Sequence, residues 1–241
     1  MQTSVIAKAL FAAMSCLACV AAGAQTAATR NTAAIEQQPT EISAGFYSLA
    51  TANGETYIAT SPSGHRALLQ KVMEFRDQQA SAGKAGDTGT LDMFIANLSR
   101  AAASTERSDA VATTPIVRGN SGTMTEIWGD CNGPNGTGPL YVGVAANGNQ
   151  ATAIARNYAG GFSPPLGTTN FATGTVTRGD GSTAASQTDT ESNGHEAYVS
   201  LHKDNIGCAT SYSSASVTCL GHATPSISAF AHGQRTGCVI P

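Results

Sequence analysis

Three carboxylates crowd one short stretch of the chain: Asp189, Glu191 and Glu196 lie within STAASQTDTESNGHEAYVSLHK, residues 182–203. Clustered oxygen ligands suit a hard cation, and Asp189-Thr190-Glu191-Ser192-Asn193-Gly194 follows the first half of a helix–loop–helix calcium loop. The twelfth position of such a loop carries a bidentate glutamate, whereas here it is Ser200, and the flanks are strand-like. Calcium held by Asp189, Glu191 and Glu196 is therefore one expectation. A second is hydrolysis, because neighbouring carboxylates divide into acid and base when their surroundings push their pKa values apart.

The geometry expected for this patch comes from Asn193-Gly194, the residue pair that a two-residue type I′ turn demands. That turn sets Glu191 opposite Glu196 and Asp189 opposite Tyr198. Thr188, Thr190, Ala197, Val199 and Leu201 then share the core side, with the carboxylates and Tyr198 on the other face.

A different chemistry is suggested by WGDCNGPNGTGP at residues 128–139, followed by Tyr141. Read as a long Gly/Pro-rich loop, it presents the chain's only Trp and a Tyr as flat apolar faces for a sugar ring. Asp130, Asn132 and Asn135 supply hydrogen bonds, so Trp128, Asp130, Asn132, Asn135 and Tyr141 form the expected ligand-binding set. The contrary reading makes Trp128 a core anchor beside a disulfide, as in sandwich domains.

Other strings carry less. The five histidines, His65, His195, His202, His222 and His232, include no His-Glu-x-x-His. Gly119-Asn120-Ser121-Gly122 and Arg178-Gly179-Asp180-Gly181-Ser182 do not complete a nucleophile elbow. Arg178-Gly179-Asp180 matches an adhesion tripeptide, yet Gly and Asp are what a turn there requires anyway.

The elements that must position these groups change along the chain. Residues 1–24, with Lys8, an apolar run and Ala22-Gly23-Ala24, read as a secretory signal peptide. Residues 25–44 are a tether poor in large apolar groups. Residues 45–103 read as a small α+β region: a hairpin around Asn53-Gly54, a helix capped by Ser61 before Pro62, and a second helix capped by Thr90. A linker at 104–122 precedes a β-sandwich domain at 123–241, where short strands recur between turn signals. The predicted fold is thus mainly β, a disulfide-closed antiparallel β-sandwich preceded by a β-hairpin and an αα-hairpin.

Composition narrows the partners. Thirteen Lys plus Arg against sixteen Asp plus Glu give a net charge of −3, with no basic stripe for nucleic acid or an anionic membrane. No later stretch approaches the roughly 20 apolar residues of a membrane span. Cys131, Cys208, Cys219 and Cys238 in an exported chain imply two disulfides, with Cys208–Cys219 and Cys131–Cys238 the expected pairing. The functional expectation is a secreted, extracellular or periplasmic, non-enzymatic binding or surface-adhesion protein that recognises glycan or a cell-envelope polymer. A carboxylate-dependent hydrolase and a self-assembling surface protein are the alternatives. Few Lys or Pro guard the strands, which raises self-association as a role.

Overall fold

The computed structural model describes residues 38–81, 88–103, 116–119, 124–133, 136–158, 168–219, 222 and 224–235. The first strands are β1 (Thr40–Ser43), β2 (Phe46–Thr51) and β3 (Gly54–Ala59), followed by helices α1 (Pro62–Ser81) and α2 (Gly89–Ala103). Nine further strands follow: β4 (Ile116–Gly119), β5 (Thr125–Gly133), β6 (Gly136–Ala146), β7 (Gln150–Asn157), β8 (Thr169–Arg178), β9 (Thr183–Ser192), β10 (Glu196–His202), β11 (Ala209–Val217) and β12 (Ile227–Gln234).

These strands form two antiparallel sheets, in the orders β1-β2-β3-β12-β11-β8-β9 and β10-β7-β6-β5-β4. The protein is mainly β, as its period-two patterning predicts. The N-terminal hairpin does not stand apart from the sandwich, because β3 pairs with β12 from Ala59↔Ser228 to Gly54↔Gly233. A Cβ at Gly54 would lie 1.9 Å from the His232 carbonyl oxygen, so a glycine is what lets the two strands close at this end. The reversal itself uses Ala52 and Asn53, since Thr51 sits opposite Gly54. Part of the expected linker, residues 116–119, is strand β4.

Alternation divides each strand between two environments. Ile58, Ile127, Leu140, Val142, Val144, Ala155, Val199, Val217 and Ile227 fill the space between the sheets. Phe46, Phe171, Tyr212 and Phe230 point to the opposite side of the larger sheet, where Leu68, Val72, Leu91, Phe94 and Leu98 of the helices cover them. The result is three layers: helices, seven-stranded sheet, five-stranded sheet.

Local chemistry fixes the helices over that face. Ser61 caps α1, its hydroxyl accepting from Gly64 N–H at 3.0 Å. His65 is almost fully buried, with Nδ1 2.8 Å from the Ser61 carbonyl and Nε2 3.0 Å from the Ser228 hydroxyl. A carbonyl can only accept, so Nδ1 carries the proton and Nε2 accepts from Ser228. Burial lowers the His65 pKa from 6.5 to about 4. Thr90, expected as a cap, is instead buried inside α2, its hydroxyl 2.9 Å from that of Thr175 and 2.7 Å from Tyr212 Oη. Thr88, with its hydroxyl 3.3 Å from Asp92 Oδ2, precedes the helix.

The hairpin expected at Asn193-Gly194 is not formed. Asn193 does take a positive φ of 60°. The chain uses that reversal to change sheets: β9 pairs with β8 in the larger sheet, whereas β10 pairs with β7 in the smaller one. Asn193 N–H still donates to the carbonyl of Thr168, just before β8 of the first sheet, and by His195 the backbone accepts from Asn157 of the second. Asx-rich turn chemistry fits either outcome, and the partners on offer decided it. The parity is reversed as well, because Thr188 bonds Thr173 on the helix-facing side while Asp189 stands opposite the core residue Ala172.

One disulfide joins the sheets, Cys131 of β5 to Cys219 after β11, with Cα atoms 5.3 Å apart. This corrects both expected pairings. Cys208 is disulfide-bonded as well, and Cys238 lies outside the described residues. The expected Cys208–Cys219 link assumed a turn at Ser213-Ser214, but those residues are the middle of the continuous strand β11.

Candidate functional site

Residues 128–133 and 136–141 are strand, not loop. β5 and β6 pair continuously from Thr125↔Val144 to Gly133↔Gly136, so the Gly/Pro-rich string is a long hairpin and Trp128 stands directly opposite Tyr141. Glycines at this density leave a strand's hydrogen bonds intact while removing side chains, and the ladder carries on through them. Ile127 faces the core, so Trp128 and Tyr141 face outward, on the side of the smaller sheet away from the helices.

The register extends that pair into a row across four strands. Tyr141 stands opposite Arg156 of β7, and Arg156 opposite Glu196 of β10. The Trp128 and Tyr141 rings are 4.7 Å apart at 58°. The Arg156 guanidinium lies 5.7 Å from the Tyr141 ring centroid, within cation–π range, and its Nε donates to Glu196. Tyr158, just past β7, holds its ring 6.2 Å from Trp128 and within 10° of parallel. Tyr141 is 3% exposed because its neighbours in this row cover it, whereas Tyr158 remains 41% exposed.

Gly143 makes the row possible. A Cβ there would lie 2.8 Å from Tyr141 Oη and 2.7 Å from Met124 Sδ, so the phenol lies along the sheet over a residue with no side chain. It reaches Glu126 at 3.4 Å. Burial first, then the Glu126 charge and hydrogen bond, push the Tyr141 phenol well above its ordinary pKa, so it stays a donor. Burial works to lower the Arg156 pKa, and the hydrogen bonds and charges of Glu196 and Tyr158 outweigh it, leaving it raised. The next row holds Ile154 opposite Tyr198, which is 45% exposed.

Of the expected ligand-binding set, Trp128 and Tyr141 come together and Asp130 is exposed at the next outward position of β5. Asn132 belongs to β5 by its backbone, and Asn135 lies outside the described residues. Sequence reading missed Arg156, Tyr158 and Glu196 as members of the row. No local signal says which strand lies beside β6, so the partner that β7 brings to Tyr141 was not legible in the chain.

The expected carboxylate cluster is dispersed. Asp189 Oδ2 accepts from Tyr198 N–H at 2.8 Å, closing the seam between β9 and β10. Glu196 is paired with Arg156. Among the described residues, no group of three or more His, Cys, Asp or Glu stands close enough to hold a metal ion. The hairpin that would have gathered the calcium ligands does not exist. The histidines are separated too: His202 pairs with Asp204 on the smaller sheet, and His232 lies on the larger sheet between Tyr57 and Phe75. Asp180 at the Arg178-Gly179-Asp180 tip accepts from Ser182 N–H and Oγ–H, so its carboxylate holds the β8–β9 turn.

The class that fold and site define is a helix-covered β-sandwich with an aromatic row on the sheet that, among the described residues, no helix covers. The chain matches no family model, no curated protein and no solved structure. Among the described residues, no helix is long and apolar enough to cross a membrane.

Proposed function

We propose that this is an exported, non-enzymatic binding protein that recognises glycan or a cell-envelope polymer on the outward face of the five-stranded sheet. The observation that carries the reading is the row Trp128–Tyr141–Arg156–Glu196 with Tyr158 stacked beside Trp128. Flat rings with graded exposure suit the C–H faces of a sugar, and the neighbouring carboxylates and guanidinium suit its hydroxyls. Sheet residues hold such rings more rigidly than a loop does, which lowers the entropy lost on binding.

The test is depletion of residues 25–241 from solution by insoluble polysaccharides and peptidoglycan, beside the Trp128→Ala variant. Specific depletion that weakens about tenfold or more in Trp128→Ala, with melting retained, is the expected outcome. Depletion by no polymer, or depletion indifferent to Trp128, removes the aromatic row from the reading.

A further inference from the structure

β9 ends the seven-stranded sheet, hydrogen-bonded to β8 along one side. The Gln187 carbonyl accepts from the Thr173 hydroxyl at 3.0 Å, so it points toward β8. In an antiparallel ladder alternate residues direct both backbone groups the same way, so Ser186, Thr188 and Thr190 direct theirs to the open edge. Such an edge is a template for another strand unless brevity, Lys, Pro, a bulge or a cover blunts it.

The other sheet ends are blunted. β1 and β4 are four residues each, and β1 is irregular. β10 has its Tyr198 N–H taken by Asp189. β9 carries its irregularity at the start, opposite Val176/Thr177, which leaves Ala185–Ser192, ASQTDTES, as a regular run with no Lys, Arg or Pro.

We propose that β9 pairs antiparallel with β9 of a second copy about a two-fold axis at Thr188, joining two seven-stranded sheets into one. An axis normal to the sheet keeps each face on its own side, so opposed residues must share a face. With Thr188 opposite Thr188 of the second copy, Gln187 meets Asp189, Ser186 meets Thr190 and Ala185 meets Glu191. Like charges oppose nowhere in that register. Centring on Asp189 would set Asp189 against itself, and centring on Thr190 would set Asp189 against Glu191, both unfavourable. Centring on Gln187 keeps only residues 185–189 in regular pairing. Asp189 Oδ2 is taken by Tyr198, which leaves its other oxygen to accept from the Gln187 amide of the second copy in the proposed pairing. A strand pair of this length buries less than a standard interface, so the dimer belongs to high protein concentration.

Sedimentation velocity from micromolar to millimolar protein tests this, with hydrogen exchange at the Ser186, Thr188 and Thr190 amides. Dimers that form with concentration, together with protection of those three amides, are expected. Thr188→Lys sets two lysines against each other at the axis and raises the dissociation constant about tenfold or more. Gln187→Lys sets a lysine against Asp189 and leaves the dimer as tight or tighter, whereas a merely sticky edge would lose association with either lysine. A monomer at every concentration, an undiminished dimer in Thr188→Lys, or a weakened one in Gln187→Lys overturns the proposal. If Thr188→Lys fails to fold, Gln187→Lys and the amide protection decide it. No polysaccharide enters the assay, and Trp128→Ala dimerises like the parent, so this result stands or falls separately from glycan binding.

Discussion

The outer face of the seven-stranded sheet and that of the five-stranded sheet both carry aromatic side chains, and they meet opposite fates. On the larger sheet Phe46, Phe171, Tyr212 and Phe230 are roofed by α1 and α2 and reach 3%, 3%, 5% and 0% exposure. On the smaller sheet Tyr158 and Tyr198 stay 41% and 45% exposed, and Tyr141 is covered by side chains of its own sheet, among them Trp128, Arg156 and Glu126. The difference lies in what the next layer is. A helix stripe of Leu, Val and Phe removes rings from water, whereas ring-on-ring and ring-on-guanidinium contacts leave one edge wet and available to a ligand.

The sharpest way to break this contrast is to empty the covered face. Phe230 touches Phe75 at 5.3 Å and Phe94 at 6.4 Å between ring centroids. Phe230→Ala should cost about 3–5 kcal/mol in denaturant unfolding, because transfer and cavity costs add there. Next comes the tie between the sheets. Replacing Cys131 and Cys219 together by Ala opens a loop spanning 88 residues and should cost about 2–5 kcal/mol by the same measurement.

A pH series sharpens the comparison, because the covered face buries histidine. His65 keeps its proton off until pH falls to about 4, while the unfolded chain takes one up near 6.5. The unfolded state therefore binds more protons in that window, and stability must fall as pH falls through it, by about 3 kcal/mol in total from His65. Burial lowers the His232 pKa too, which acts in the same direction. Denaturant titrations from pH 7 to 4 should show the loss, and His65→Gln should flatten its His65 share.

The smallest expected stability effect is on the open face. Trp128→Ala should cost only about 1 kcal/mol of folding free energy while weakening the proposed polymer depletion about tenfold or more. The single Trp also allows a direct readout, because ligand on this face should shield its fluorescence from acrylamide.

Much of the secondary structure was legible in residue order. Ser61-Pro62 marked the start of α1, and short runs between turn signals marked most strands. Three things were not. Asn193-Gly194 signalled a hairpin and supplied only a reversal, the Gly/Pro-rich string at 128–139 resembled a loop although its described residues carry a ladder, and the pairings expected for the four cysteines after residue 24 gave way to Cys131–Cys219.

The sequence by itself determined a helical pair, a run of β-strands and which residues of each strand share a face, because turn residues and alternation act over a few neighbours. Only the tertiary structure decided that β9 and β10 belong to different sheets, that Cys131 meets Cys219, and that Arg156 and Glu196 complete the row begun by Trp128 and Tyr141. Each of these is a contact between segments far apart in the chain, settled by which strand edges and apolar faces remained to be paired.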